Sequence, residues 1–180
     1  MHKINWKRGS IAVLGLGAAA VTAVAPIGDA TAKAPANKAA VVTIEGSGKD
    51  LVFDAPETVE VGQELEIVNK TDIEQDGPHT FSLVKRKFIP QTKKEIKKCE
   101  ICGPIAQAHK AGPEGVGKVS VDKGEDGWDK QFTDKKFGDS WYTEEKKDSH
   151  SRLVTAEAGK KLGIFCAIHP FMSGKIEVVK

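Results

Sequence analysis

Residues 58–70, TVEVGQELEIVNK, set Val59, Val61, Leu65 and Ile67 almost in alternation with Glu60, Glu64 and Glu66, broken at Gly62-Gln63. Successive side chains of a strand point to opposite faces, so this spacing predicts half-buried β-strands. Further short apolar runs follow the same style at 41–46, 51–54, 79–84, 152–156, 161–166 and 175–179. Turns rich in Gly, Pro, Asn and Asp separate them. Short strands punctuated this way describe an all-β, two-sheet antiparallel sandwich.

The chain has 180 residues, 39% apolar and 29% charged, which suits one domain able to bury a real core. Its 27 Lys and Arg against 25 Asp and Glu give a formal charge of +2, which argues against a general attraction to nucleic acid or anionic membrane. The N-terminus has a different character. Lys3, Lys7 and Arg8 precede an apolar, small-residue run at 11–24, and Ala30-Thr31-Ala32 supplies a small-x-small cleavage pattern. Residues 1–32 therefore read as a secretory signal, which places the mature chain in the periplasm or outside the cell. The apolar run is too short and too glycine-rich for a comfortable membrane span, so any membrane association would be through an uncleaved N-terminal segment only. Cleavage removes three cations and Asp29, leaving a formal charge of zero. Residues 33–39 read as a flexible lead-in and 40–180 as the folded domain.

Between Val84 and Ser151 the pattern changes. Residues 91–100, QTKKEIKKCE, have helical spacing, whereas 124–150 are polar, glycine-punctuated and aperiodic. This predicts a long, partly helical insertion at about 85–150, pinned to the sandwich by Trp128, Phe132, Phe137, Trp141 and Tyr142.

The chemistry concentrates near the C-terminus. Cys166, His169 and Met172 stand at three-residue intervals in CAIHPFM, just after an apolar strand and on a loop closed by Pro170 and Ser173-Gly174. His79 opens another expected strand after the turn Asp76-Gly77-Pro78, and a sandwich can bring that strand end beside the C-terminal loop. Thiolate and thioether suit Cu(I) and imidazole suits both oxidation states. Two His and one Cys in a trigonal set with a weak axial Met form the known ligand set of blue-copper sites. One mononuclear copper per chain, held by His79, Cys166, His169 and Met172, is the expectation.

Cys166 to Met172, continued through SGKIEV at 173–178, resembles the ligand loop and last strand of the cupredoxin (blue copper) family, plastocyanin/amicyanin-like in its short C-x-x-H-P-F-M spacing. Residues 65–83, LEIVNKTDIEQDGPHTFSL, are similar to the family segment that delivers the first histidine. The resemblance implies an eight-stranded cupredoxin-like Greek-key β-sandwich, a type 1 copper and outer-sphere transfer of single electrons between protein redox partners. It implies His79 as the buried ligand, Cys166 as the thiolate, His169 as the ligand near the surface and Met172 as the axial thioether. Thr80 stands where the family commonly has asparagine.

Cys99 and Cys102 leave two readings: a local disulfide, natural in an oxidising compartment, or a second metal site with His109. Lys85, Arg86, Lys87, Lys93, Lys94, Lys97 and Lys98 form a basic run that is either a solvated face or a docking patch for an acidic partner. Glu114, Asp122, Glu125, Asp126 and Asp129 make the insertion locally acidic. Histidine counting opposes a copper enzyme, since beyond His2, His79 and His169 only His109 and His150 remain. The leading expectation is an electron carrier and not an enzyme; the alternative is a copper-binding module for storage, delivery or sensing.

Overall fold

A computed structural model describes residues 38–111, 122–124 and 126–180. The expected secretory signal, most of the lead-in, and Glu114 and Glu125 lie outside them. Nine strands are present among the described residues, in two sheets that enclose one core. The first sheet runs in the order β2 (Val52–Asp54), β1 (Ala40–Glu45), β4 (Glu64–Asn69), β7 (Ser149–Leu153). The second runs β3 (Thr58–Glu60), β9 (Ser173–Val179), β8 (Lys161–Phe165), β5 (His79–Val84), β6 (Ser140–Thr143). The architecture is an all-β sandwich with a helical insertion.

The alternation in residues 58–70 has the expected effect, and its interruption does more. Leu65 and Ile67 turn inward from β4, Val59 turns inward from β3, and the turn at Gly62 sends the two strands into different sheets. Gly62 has φ of 78°, the left-handed region that glycine enters without cost. The sheets are mixed and not purely antiparallel, because β1 pairs with β4 and β3 with β9 in parallel. Each of those pairs joins strands that are not consecutive, and a non-local connection can return a strand in either direction.

The described residues between β5 and β6 (85–111, 122–124 and 126–139) form the insertion. After the one-turn helix α1 (Ile73–Asp76) between β4 and β5, the first part of the insertion folds as a 3-10 turn (Arg86–Phe88), helix α2 (Lys93–Lys98) and helix α3 (Cys102–Ala108). α2 starts with a capping box in which Thr92 Oγ1 accepts from the Glu95 N–H and the Glu95 carboxylate accepts from the Thr92 N–H. Residues 140–150 do not belong to the loop: they supply β6 and the start of β7. All four residues of β6, SWYT, are buried, so no alternation marks them as a strand. Trp128, Phe132, Trp141 and Tyr142 are buried as expected, but Phe137 is 52% exposed. It follows the tight turn in which the Thr133 N–H donates to Lys136 O, and that tip stays at the surface.

β5 is buried along its whole length. His79, Phe81 and Leu83 share one face, and Phe81 and Leu83 enter the sandwich core. Thr80, Ser82 and Val84 share the other, where Val84 joins a second apolar cluster with Ile89, Ile101, Ile105, Phe132, Phe165 and Ala167. The insertion thus covers the outer face of β5 and β8.

Candidate metal centre

β5 and β8 are antiparallel neighbours, so the first residue of one and the residue after the other lie at the same end of the sandwich. That end collects the sulfur and the imidazoles. Cys166 continues the inward face of Leu162 and Ile164 and is fully buried. His79 is also fully buried and His169 is half-buried. One ligand atom from each of His79, Cys166 and His169 lies within 4.8 Å of the others, and the two imidazole centroids are 4.8 Å apart. Cys166 Sγ is 3.8 Å from His169 Nδ1. The loop closes on itself through the Met172 N–H donating to His169 O at 2.8 Å and the Cys166 N–H donating to Met172 O at 3.1 Å. Met172 is 1% exposed and sits in the same apolar cluster as Cys166.

Each of these side chains is fixed by neighbours. Thr71 donates its hydroxyl proton to Asn69 Oδ1 at 2.7 Å, so its oxygen accepts from His79 Nε2–H at 2.9 Å. This leaves His79 Nδ1 deprotonated, buried and without a hydrogen-bond partner. The thiol sulfur accepts from two backbone N–H groups, of Thr80 and His169, each at 3.4 Å. Thr80 also ties the strand to the loop, because its Oγ1 accepts from the Ala167 N–H at 2.8 Å. The hydroxyl at this position therefore serves as a strand-to-loop brace.

Burial governs the titration of the group. It pushes the Cys166 thiol up, with the N–H donors of Thr80 and His169 opposing. Burial, and then the charge of His169, push His79 down from 6.5 to about 4, with the Asp76 carboxylate opposing. His169 is also lowered by burial, against a backbone hydrogen bond at Asp76 and its carboxylate charge. All three groups are neutral near pH 7 in the metal-free chain.

Asp76 and Thr71 are the residues that motif reading misses. Asp76 Oδ1 accepts from the Gly48 N–H at 2.8 Å, while its buried Oδ2 has no partner. Both belong to the turn segment between β4 and β5, where a short polar side chain is commonplace. Their one sequence cue is closeness to His79.

Cys99 and Cys102 form a disulfide. Cys102 Sγ lies 3.2 Å from the carbonyl oxygen of Ala167, so the bridge touches the backbone of the loop that follows β8. His109 joins no metal cluster among the described residues; its Nε2 is 2.8 Å from Ser140 Oγ. His150 is stacked on Trp141, with ring centroids 5.8 Å apart.

No protein-family model matches the chain, and no curated protein does. Solved structures that it resembles include amicyanins. One is the reduced Cu(I) form, at pH 4, of an amicyanin mutant: 19% identity, 82% of this chain and 88% of that chain covered, TM-score 0.38. Another is amicyanin from Paracoccus versutus: 20% identity, 82% and 86% covered, TM-score 0.35. At these scores the chemistry of the site rests on its own residues.

Proposed function

We propose that the chain is a mononuclear copper protein of the cupredoxin kind that carries single electrons between protein partners outside the cytoplasm. In this reading His79, Cys166 and His169 are the strong ligands and Met172 the weak axial one. The observation that carries it is the buried, partnerless Nδ1 of His79 converging with Cys166 Sγ and the His169 imidazole. An orphaned buried lone pair costs about 1–3 kcal/mol, and a bound cation removes that cost. The donor chemistry selects the cation, since thiolate and thioether favour copper over hard, oxygen-seeking ions.

Bound copper would supply one-electron redox chemistry. The chain's own residues prepare for it. Thr71 holds His79 in the tautomer that offers Nδ1. The N–H groups of Thr80 and His169 are aimed at the sulfur and stabilise it once it is deprotonated. Because burial keeps the Cys166 thiol protonated at neutral pH, metal uptake releases a proton. Full burial of Cys166 and His79 supports retention over hand-off, and hence a carrier over a delivery module. His109 Nε2 contacts Ser140 Oγ and His150 stacks on Trp141, and among the described residues neither joins a cluster of ligand atoms. Residues 1–32 act as the export signal and 40–180 as the copper domain.

Metal analysis and visible absorption of residues 33–180 test this reading. One copper per chain and an intense sulfur-to-copper band that bleaches on reduction are expected, and Cys166→Ser abolishes the band. A copper-loaded chain without the band, or a Cys166→Ser variant that stays coloured, overturns the assignment.

A further inference from the structure

The insertion carries an open groove of about 600 Å³ that the copper centre does not use. Its apolar lining comes from buried Ile89 and Ile101 and half-buried Phe88, and its cations from exposed Arg86, Lys87 and Lys94. The volume suits a side-chain cluster or a small ligand. The acids beside it are largely committed. The Glu95 carboxylate accepts from the Gln91 and Thr92 N–H groups at 2.8 and 3.0 Å, and Glu100 pairs with Lys98 at 2.6 Å. Among the described residues Arg86, Lys87, Lys93, Lys94 and Lys97 make no ion pair, and of the acids lining the groove Glu95 and Asp134 make none either. Four cations and three acids line the groove, and Lys93 and Lys97 on the same helix as Lys94 add two more cations, so the rim keeps a positive excess that an anionic occupant relieves.

The groove is also mechanically close to the ligand loop. Ile101 shares an apolar cluster with Phe165 and Ala167, the residues on either side of Cys166, and the adjoining Cys102 touches Ala167 O. An occupant is therefore held by the element that packs directly against the loop.

We propose that this groove recognises an acidic segment of the protein redox partner, a stretch of Asp and Glu with one aromatic or aliphatic side chain seated beside Phe88, whose ring carries Lys87 Nζ 4.7 Å from its centroid. The apolar lining favours such a segment over a phosphate backbone, and a formal charge of only +2 gives the chain no broad attraction for polyanions. The partner's role rests on the electron-carrier reading; binding to the groove does not. Charge at this site sets the encounter rate and orientation, leaving the final approach to the ligand loop.

The test is fluorescence anisotropy of a short labelled peptide of alternating Asp and Glu with a central Phe, titrated with the copper-loaded and the metal-free chain. Both forms are expected to bind it, so a failure of the copper reading leaves this result standing. Affinity should fall about tenfold on raising salt from 0.05 to 0.5 M, and similarly in the double variant Arg86→Glu plus Lys94→Glu. Both substituted positions are exposed, which spares the fold. Replacing the central Phe by Ser should weaken binding further. Three results overturn the proposal: the acidic peptide binding no better than a Gly/Ser peptide, the charge reversals having no effect, or a single-stranded oligonucleotide of equal charge binding more tightly.

Discussion

Thr71 decides which nitrogen of His79 is available, although it contributes no ligand atom. Its proton is committed to Asn69 Oδ1, so the imidazole must donate from Nε2. Thr71→Val keeps the shape and removes the acceptor. The expected outcome is a population of Nδ1–H tautomer in the 15N spectrum of the metal-free chain and copper affinity lower by about 10- to 100-fold. An unchanged tautomer and affinity would make Thr71 ordinary packing. His79 also carries a pH dependence. Its pKa falls from 6.5 to about 4 on folding, so between those values the unfolded chain binds more protons than the folded one. The metal-free chain is therefore at full stability, as far as this group is concerned, above pH 6.5. It loses stability as pH falls toward 4, by roughly 3 kcal/mol at 1.36 kcal/mol per unit. Denaturant titrations over that range, compared with His79→Gln, measure the slope; equal slopes in both would remove His79 as its source. The proposed ligands are legible in sequence because their spacing is unusual. Thr71 and Asp76 are not, since hydroxyls and carboxylates in turns have many routine uses.

The sheet elements were legible where one face is wet and one dry, as in β4, whose Glu64, Leu65, Glu66 and Ile67 alternate. β6 escapes that logic because both its faces are covered, and β5 is recognisable from its β-branched and aromatic content more than from alternation. α2 follows from the helix-forming residues of 91–100, but α3, which opens on Cys102-Gly103-Pro104, and the surface that both helices pack on do not. Gly163 explains that surface. A Cβ there would stand 2.3 Å from Val84 O and 2.8 Å from Ile89 Cδ1, so the bare backbone of β8 is what admits the insertion. Gly163→Ala should lower stability by about 1–3 kcal/mol through overpacking, seen as a reduced denaturant midpoint. A midpoint equal to wild type would mean that the insertion rides loosely on the sheet.

At the scale of the whole molecule, burial distinguishes the two proposed imidazole ligands. His79 is sealed beneath the sandwich, whereas His169 is half-buried on a loop whose next apolar residue, Phe171, is 43% exposed with its ring 5.9 Å from the imidazole. Among the described residues the other large exposed apolar side chains, Val41, Val52, Val61, Phe137 and Leu153, lie on other strands or loops away from the ligand loop in sequence. A partner that excludes water over the ligand loop thus approaches His169 first, and Phe171 supplies the apolar contact that makes the approach favourable. Phe171→Glu should keep the absorption spectrum of the copper-loaded chain, because no proposed ligand changes. It should slow electron exchange about tenfold, the equivalent of roughly 1.4 kcal/mol of lost apolar contact. Self-exchange measured by NMR line broadening reads this without a partner, and stopped-flow with an acidic redox protein reads it with one. The salt dependence should remain that of wild type, since the cations of the insertion are untouched, whereas Arg86→Glu plus Lys94→Glu should flatten it and leave self-exchange alone. If Phe171→Glu instead exchanges electrons at the wild-type rate, the electron leaves by another face and the half-buried imidazole is not the port.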